Sequence, residues 1–154
     1  MSIHVRWMDR RDLPDVLRIE NTVFTFPWSE QDFIRCLKRD RSIAMAADLD
    51  GKVAGYMLYD IYKSRIHILD FAVDPIYQRV GVGKAMVEKL KSKLHADRRR
   101  RIHCEVRETN LDAQLFFKAM GFRATGLLHD FYEQTTEDAI LFNYRLPVGV
   151  VVNQ

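Results

Sequence analysis

The sequence has few of the residues that build disulfide or metal scaffolds. It contains two cysteines, Cys36 and Cys104, with no CxxC pair, and five histidines with no HExxH pattern. Disulfide frameworks need paired cysteines, and zinc sites need clustered cysteine or histidine ligands, so neither is predicted. We therefore expect no metal cofactor.

Long apolar runs are missing as well. No stretch approaches the ~20 apolar residues of a membrane-spanning helix, and the opening Met-Ser-Ile-His-Val-Arg has no apolar core of a secretion signal. The net charge of +3 is mild for 154 residues and gives no reason to predict direct nucleic-acid binding. We expect a cytoplasmic protein without a membrane partner, either a monomer or a homodimer.

What is present is a pattern of alternating strands and helices. With 47% hydrophobic and 29% charged residues, and no repeat or linker, the chain suits one α/β (α+β) domain. Runs of period two predict strands, and runs of period 3.6 predict helices. The predicted strands are 3–7, 43–49, 53–62, 65–73, 102–106, 122–132 and 139–146, and the predicted helices follow Asp12, Ser29, the segment 81–84 and Asn110.

Local signals mark several of these element ends. Asp12 is predicted as an N-cap, and Ser29–Asp32 has the form of a capping box. Asp50–Gly51 lies between two β-prone runs and predicts a hairpin. Gly121 predicts the end of the last helix.

Two further features concern a helix face and a charge run. The last helix carries Leu115, Phe116 and Ala119 on one side. Four arginines occupy 98–101, and we expect a solvated loop there, with contact to an anionic ligand or partner as the alternative.

An aromatic link, Phe24-Thr-Phe-Pro-Trp28, joins the first two helices. One interpretation is a hydrophobic staple that holds the helix pair. The other is that Pro27 and Trp28 form one wall of a substrate groove, and both roles are compatible.

The stretch Ile68–Lys84 carries the clearest chemical signal. An apolar, β-prone run leads into a loop with Gly81 and Gly83, and an amphipathic helix follows. Unpaired N–H groups and the positive end of the helix dipole converge at such a helix start and favour an anion. A plain tight turn is the alternative.

Spacing excludes two common nucleotide loops. A Walker loop would need glycine where Gln78 stands and serine or threonine where Ala85 stands. The dinucleotide fingerprint would need a third glycine at Met86. What remains is Gln78–Gly83, which fits the pattern Gln/Arg-x-x-Gly-x-Gly/Ala.

That pattern, preceded by Phe-Ala-Val-Asp-Pro-x-Tyr, resembles the pyrophosphate loop of the GNAT superfamily of N-acetyltransferases. The predicted element order is similar to that of the GNAT fold over about residues 3–146. The resemblance implies a mixed central sheet of about six or seven strands flanked by about four helices. It also implies a single domain over 1–154, with 147–154 as an extra strand or tail.

Within the superfamily, three pieces resemble the bacterial ribosomal-protein-alanine N-acetyltransferase family. They are Phe26–Glu30, Ala72–Arg79 with the glycines after it, and Glu105–Asn110 followed by Gly121–Phe122. The segment Glu137–Ala139 fits as well. The resemblance implies an enzyme that uses acetyl-CoA to acetylate a protein or peptide N-terminus, such as that of a ribosomal protein.

The resemblance also implies which residues contact acetyl-CoA. The backbone of Phe71–Val73 would pair with the pantetheine arm, and one N–H would polarise the thioester carbonyl. Asn110, at a helix start, is either a plain N-cap or a cofactor contact. The implied cofactor-binding residues are Phe71, Ala72, Val73, Arg79, Val80, Gly81, Val82, Gly83, Lys84, Asn110 and Phe117.

The catalytic residues implied are Glu105 and Tyr132. Glu105 matches the family's general base, with a merely solvated strand face as the alternative. At Phe117 the sequence departs from the family, which has a tyrosine that protonates the departing CoA sulfur, because phenylalanine has no proton to give. Tyr132 matches a tyrosine that lines the peptide groove, and we expect it to bind substrate or to replace the missing acid, unless its ring is simply buried.

Three functions compete at this point. The first is an acetyltransferase for protein N-terminal amines. The second is a GNAT enzyme for small amines or lysine side chains, because the cofactor motif is shared by all of them. The third is an acyl-CoA-binding regulatory module with little turnover, which Phe117 favours and Glu105 argues against.

Overall fold

The structure, a computed structural model, describes residues 2–148. Within them the chain forms seven strands and four α-helices, and no described helix is both long and apolar enough to cross a membrane. The strands are β1 (Ile3–Trp7), β2 (Ser42–Leu49), β3 (Lys52–Ile61), β4 (Arg65–Val73), β5 (Arg101–Arg107), β6 (Arg123–Tyr132) and β7 (Glu137–Arg145), and the helices are α1 (Leu13–Val23), α2 (Glu30–Leu37), α3 (Val82–Lys91) and α4 (Leu111–Ala119).

The strands form one mixed sheet in the order β1-β2-β3-β4-β5-β7-β6. The pairs β1–β2, β2–β3, β5–β7 and β6–β7 are antiparallel. In contrast, β4 and β5 run parallel, with Arg65–His67 paired to Arg101–His103. Seven strands and four helices in this order confirm the predicted α+β fold.

Internal contacts divide the chain into two compact units. The first is Met1–Ile61 with Ile68–Leu90, and the second is Tyr62–His67 with Lys91–Gln154. The single domain over 1–154 stays a prediction. Of the predicted tail at 147–154, residues 149–154 lie outside the described residues.

Most local signals act as predicted. Ser29 accepts a hydrogen bond from the N–H of Asp32 at 3.1 Å, and the Asp32 carboxylate accepts one from the N–H of Ser29 at 2.9 Å. Asp50 and Gly51 have φ of 52° and 86°, as a type I′ hairpin turn requires. Gly121, with φ of 88°, follows the C-cap of α4.

Asp12 occupies the predicted N-cap position of α1, but its side chain does not cap the helix. Its carboxylate instead accepts the N–H of Asp9 at 2.6 Å and two hydrogen bonds from the Arg6 guanidinium at 2.7 and 2.9 Å. These hydrogen bonds from Arg6 lower the pKa of Asp12. The residue therefore closes the turn before α1 and ties it to β1.

The solvated-loop prediction for Arg98–Arg101 is wrong for three of the four arginines. Arg98 is exposed, whereas the other three are half-buried. Arg99 Nε donates to the carbonyl of Tyr62 at 2.6 Å, and Arg100 donates to the carbonyl of Leu146 at 2.9 Å. These guanidiniums satisfy backbone carbonyls, which a charge run in the sequence does not reveal.

The apolar side predicted for α4 is not its packing side. Leu115 is 57% exposed and Ala119 is exposed, whereas Phe117 is 5% exposed. Rings of Phe122 and Phe142 lie 5.1 and 6.3 Å from that of Phe117. The helix is therefore anchored by Phe117, the residue that departs from the family pattern.

Gly55 on β3 lies where the backbone of β4 approaches most closely. A β-carbon at Gly55 would come within 2.9 Å of the Ala72 carbonyl oxygen on β4 and of the terminal methyl of Met86 on α3. Real β-carbon contacts are essentially never that short, and the Ala72 carbonyl is a backbone atom that no side-chain movement can relieve. The close approach of β4 therefore requires glycine at this position.

A buried carboxyl pair joins α1 to β4. Glu20, 1% exposed, accepts hydrogen bonds from the hydroxyl of Tyr56 and, at 2.9 Å, from the N–H of Trp28. Asp70, 7% exposed, accepts the N–H of Phe71 at 3.0 Å through Oδ1. Its Oδ2 has no donor among the described residues.

The unsatisfied oxygen indicates that Asp70 is protonated. Burial, and then the hydrogen bond and charge of Glu20, raise the pKa of Asp70 well above its usual value. A protonated Asp70 can donate to Glu20, whereas two carboxylates would repel each other. The pair thereby fixes the backbone at Trp28 and Phe71, two predicted site residues.

Replacing Asp70 by asparagine tests this protonation state. The amide keeps an acceptor for the Phe71 N–H and gives Glu20 a donor at every pH. Since the folded pKa of Asp70 is raised, its contribution to stability is lost as pH rises through that pKa. Asp70→Asn should therefore exceed the parent in free energy of unfolding by about 1–3 kcal/mol at alkaline pH, and the difference should shrink in acid.

Urea denaturation from about pH 5 to about pH 9 measures the effect. Asp97→Asn is a matched control, because the Asp97 side chain is 89% exposed. A difference between Asp70→Asn and the parent that does not grow with pH would contradict a protonated Asp70.

Candidate active site

The predicted site residues divide between the two units. In the first unit, β4 ends at Val73 and Asp74 turns the chain toward the glycine loop. Asp74 is buried; its Oδ1 accepts the N–H of Ile76 at 3.2 Å, and its Oδ2 accepts from Arg18 at 3.1 Å. These two hydrogen bonds hold the backbone in place where the chain leaves β4.

The glycine loop has the geometry of an anion site. Arg79 and Gly81 have φ of 65° and 95°, so the loop is wound through the left-handed region before α3 begins at Val82. Ala85 is the donor to the Gly81 carbonyl, at 2.9 Å, so the N–H groups of Val82 to Lys84 precede the helical ladder. The first turn holds no acidic residue, and its charge environment suits a phosphate.

The φ of Gly81 is what requires a glycine there. A β-carbon at Gly81 would meet only the Ile3 side chain, at 3.7 Å, which is an ordinary contact. The φ of 95° lies beyond the left-handed region that L-residues reach, so any side chain at this position would strain the backbone. Gly83 is buried in the first turn of α3.

The N–H groups of β4 alternate in direction. The N–H of Asp74 donates to the Ala54 carbonyl on β3 at 2.8 Å. Because alternate N–H groups of an extended chain point the same way, those of Phe71 and Val73 point away from β3. The N–H of Phe71 already donates to Asp70.

The aromatic link is a hydrophobic staple, as one interpretation predicted. Trp28 directly precedes the N-cap of α2, and its ring lies 5.3 Å from that of Phe33, the fourth residue of the helix. Trp28 is half-buried and Pro27 is exposed. A role in substrate binding is compatible with this exposure and stays a prediction for both residues.

In the second unit, Glu105 lies against a histidine that the sequence analysis did not single out. His67 Nε2 lies 2.8 Å from Glu105 Oε2 and 3.1 Å from Oε1. The side chains are 23% and 18% exposed, so the solvated-face alternative is wrong. Burial raises the pKa of Glu105, but the hydrogen bond from His67 and the charges of His67 and His103 outweigh it and lower the pKa.

Strand register explains the cluster. His67 pairs with His103 across β4 and β5, and Glu105 lies two residues further on the same face of β5. The two imidazole rings stack with centroids 4.3 Å apart and planes 11° apart. Arg65 Nε donates to His103 Nε2 at 3.2 Å, so the His103 proton lies on Nδ1. Burial, helped by nearby positive charges, lowers the pKa of His103 to about 4.

His67, His103 and Glu105 form the one group within residues 2–148 that is compact enough to be considered for a metal ion. Lone pairs of imidazoles lie in the ring plane, and two nearly parallel planes 4.3 Å apart do not direct them to one ion. One ring nitrogen of His103 already accepts a hydrogen bond from the Arg65 guanidinium.

Tyr132, at the end of β6, belongs to the same unit as Glu105. The Arg107 guanidinium lies 3.8 Å from the centre of its ring. Burial, reinforced by the charge of Glu105 and only partly offset by that of Arg107, raises the pKa of Tyr132 to about 12. The hydroxyl is thus less acidic than that of an ordinary tyrosine.

Asn110 is the N-cap of α4. Its side chain accepts the N–H of Ala113 at 3.1 Å, so the plain N-cap interpretation holds, and the cofactor contact stays a prediction. Phe117 has no polar group and lies in the aromatic cluster under α4. Of the site residues that the resemblance implies in this unit, Glu105 and Tyr132 are close enough for the charge of Glu105 to raise the pKa of Tyr132.

Comparisons with known proteins show which sequences and structures the chain is similar to. A model of the acetyltransferase (GNAT) family matches residues 13–122. The chain is 30% identical, over 93% of its length and 96% of the relative's, to the ribosomal protein bS18-alanine N-acetyltransferase of Escherichia coli K12. The crystal structure of the Escherichia coli ribosomal-protein-S18-alanine N-acetyltransferase has a TM-score of 0.84 at 26% identity, covering 99% of both chains. Ard1 from Thermoplasma volcanium has a TM-score of 0.85 at 25% identity, covering 96% of this chain and 99% of that one.

Proposed function

Because the chain belongs to the GNAT family of acetyltransferases, we propose that it transfers the acetyl group of acetyl-CoA to a protein N-terminal α-amine by direct attack on the thioester. The observation that carries the proposal is the half-buried Glu105 carboxylate, hydrogen-bonded to His67 on the face of β5. The acceptor class follows from relatives named as ribosomal-protein-alanine N-acetyltransferases. A ribosomal acceptor would place the enzyme in the cytoplasm.

The first unit fits the phosphate and pantetheine parts of acetyl-CoA. The loop Arg79–Lys84 supplies N–H groups at a helix start without an acidic side chain in the first turn. On β4, the N–H of Phe71 is occupied by Asp70, so Val73, whose N–H has the same direction, is the better donor to the thioester carbonyl. Acetyl-CoA supplies the activated acetyl group.

Glu105 is suited to an α-amine. The α-ammonium has a pKa of about 7.7–8.0, whereas that of lysine is about 10.4. A carboxylate with a lowered pKa attracts the ammonium form, and it can accept the proton that leaves the nitrogen as the amide forms. In the reaction the N–C bond forms, the C–S bond breaks, and the sulfur leaves as a thiolate.

The leaving thiolate does not require Tyr132 as an acid. A thiol has a pKa of about 8.5, so the thiolate is a tolerable leaving group and can take its proton from water. A hydroxyl whose pKa is about 12 would transfer its proton uphill. We propose that Tyr132 binds the peptide and that Phe117 leaves the family's acid unreplaced. In the first unit, Pro27 and Trp28 are the proposed substrate contacts.

A substrate panel tests the function. Purified protein is incubated with acetyl-CoA and with peptides that begin with Ala, Ser or Met, with lysine peptides blocked at the N-terminus, and with polyamines, and thiol release is followed. We expect release with free N-terminal peptides. Release only with polyamines or blocked lysine peptides would overturn the acceptor class, and acetyl-CoA binding without release would indicate a binding module.

Glu105→Gln tests the base. We expect turnover to fall by about 10²–10⁴-fold, with acetyl-CoA affinity unchanged in calorimetry, because the cofactor contacts lie elsewhere. Glu88→Gln, on the exposed side of α3, is the matched control and should be silent. Turnover within a few-fold of the parent would remove Glu105 from the reaction.

Tyr132→Phe separates binding from acid catalysis. If the hydroxyl only contacts the peptide, KM should rise while kcat changes by less than about threefold, since uniform binding affects KM alone. A fall in kcat of about 10²-fold or more, with KM unchanged, would instead make Tyr132 the replacement acid. Steady-state kinetics with one N-terminal peptide are sufficient for this test.

A further inference from the structure

One group near the proposed base has no role in the reaction as argued so far. His67 makes the shortest contact to Glu105, 2.8 Å between Nε2 and Oε2, from a different strand. His67 and Glu105 are 38 residues apart in sequence, so the pairing of β4 with β5 is what brings them into contact. The His67 side chain is 23% exposed, so protons can move between its imidazole and water.

We propose that His67 is a positioning residue that orients Glu105 and shares with it the proton released by the amine, an inference that rests on the proposed function. The carboxylate touches the amine, and the imidazole acts through the carboxylate. When the pair holds one extra proton, both ring nitrogens of the imidazole carry a proton, the Nε2–H donates to Oε2, and the positive charge is spread over the ring. Imidazole is the side chain that exchanges protons readily between about pH 5 and 8.

The contact with His67 explains how Glu105, a weak base, can accept a proton from the amine. A carboxylate whose pKa is lowered would by itself hold a proton poorly at neutral pH. With His67 in contact, the pair can hold the proton as a carboxylate–imidazolium ion pair without either side chain moving. In total the ammonium loses two protons to the pair and to water, and the CoA thiolate takes up one proton from water.

The surroundings of His67 favour this assignment over a structural one. The stacked His103 ring, 11° from parallel, holds the imidazole plane, and its low pKa of about 4 keeps it uncharged at neutral pH. Arg65, on the same strand as His67, donates to His103. The other ionisable groups around the pair, from β5 and β6, are Arg101, Arg107 and Tyr132.

The test is the pH dependence of kcat/KM for an N-terminal peptide. In the parent, both the substrate amine and the Glu105–His67 pair must lose a proton, so log kcat/KM should approach a slope of 2 on the acid side of its pH profile. His67→Gln keeps a hydrogen-bond donor near the position of Nε2 but cannot take a proton. We expect its slope to be 1 over the same range and its kcat/KM at about pH 8 to fall by about 10–100-fold.

Two further measurements make the outcome unambiguous. His67→Ala should recover activity when free imidazole is added, whereas an effect of misfolding would not be rescued, and circular dichroism checks the fold. His4→Gln is the matched control, because His4 is 67% exposed on β1, and it should keep the parent profile.

The results separate this inference from the proposed function. If Glu105→Gln loses turnover while His67→Gln keeps the parent slope, the proton-sharing role is wrong and the base proposal stands. If Glu105→Gln stays active, the base proposal itself fails. Activity that is lost in EDTA and restored by zinc would also overturn the inference, because it would make the three side chains metal ligands.

Discussion

Parallel pairing of β4 with β5 is the constraint on which the proposed chemistry depends. It sets His67 directly opposite His103, and the two-residue period of a strand then puts Glu105 on the same face. A shift of one residue would turn Glu105 to the buried face of β5 and would move the buried Cys104 and Val106 to the opposite face. The hydrophobic alternation of β5 therefore determines the position of the base as well as the packing of the sheet.

Sequence patterns predict the fold well wherever the signal is local. All seven strands, the Ser29–Asp32 capping box and the Asp50–Gly51 turn lie where periodicity and turn chemistry place them. The errors share one cause. Arg99 and Arg100 satisfy carbonyls distant in sequence, and the packing of α4 depends on an aromatic cluster built by β6 and β7, so neither can be inferred from a window of a few residues.

The candidate site was predictable only in part for a related reason. Glu105 and the glycine loop can be predicted from motifs, whereas the contact of His67 with Glu105 can be inferred only once the β4–β5 register is known. A usable signal was present: His67 and Asp70 are ionisable residues inside an apolar, β-prone run, where such residues need partners. The partner of Asp70 is Glu20, 50 residues away and itself buried, and no spacing rule links the two.

Asp70 and Glu105 illustrate how the surroundings of a carboxyl group set its protonation state. Within residues 2–148 no cation lowers the pKa of Asp70, so burial next to Glu20 keeps its carboxyl group neutral. Glu105 is also partly buried, but the hydrogen bond from an imidazole lowers its pKa and keeps it ionised. An ionised carboxylate coupled to an imidazole is a modest base, and a modest base favours α-amines. Deprotonating a lysine ammonium costs about 2.5 pKa units more than an α-ammonium, or about 3.4 kcal/mol, which by itself gives a preference of about 300-fold for protein N-termini.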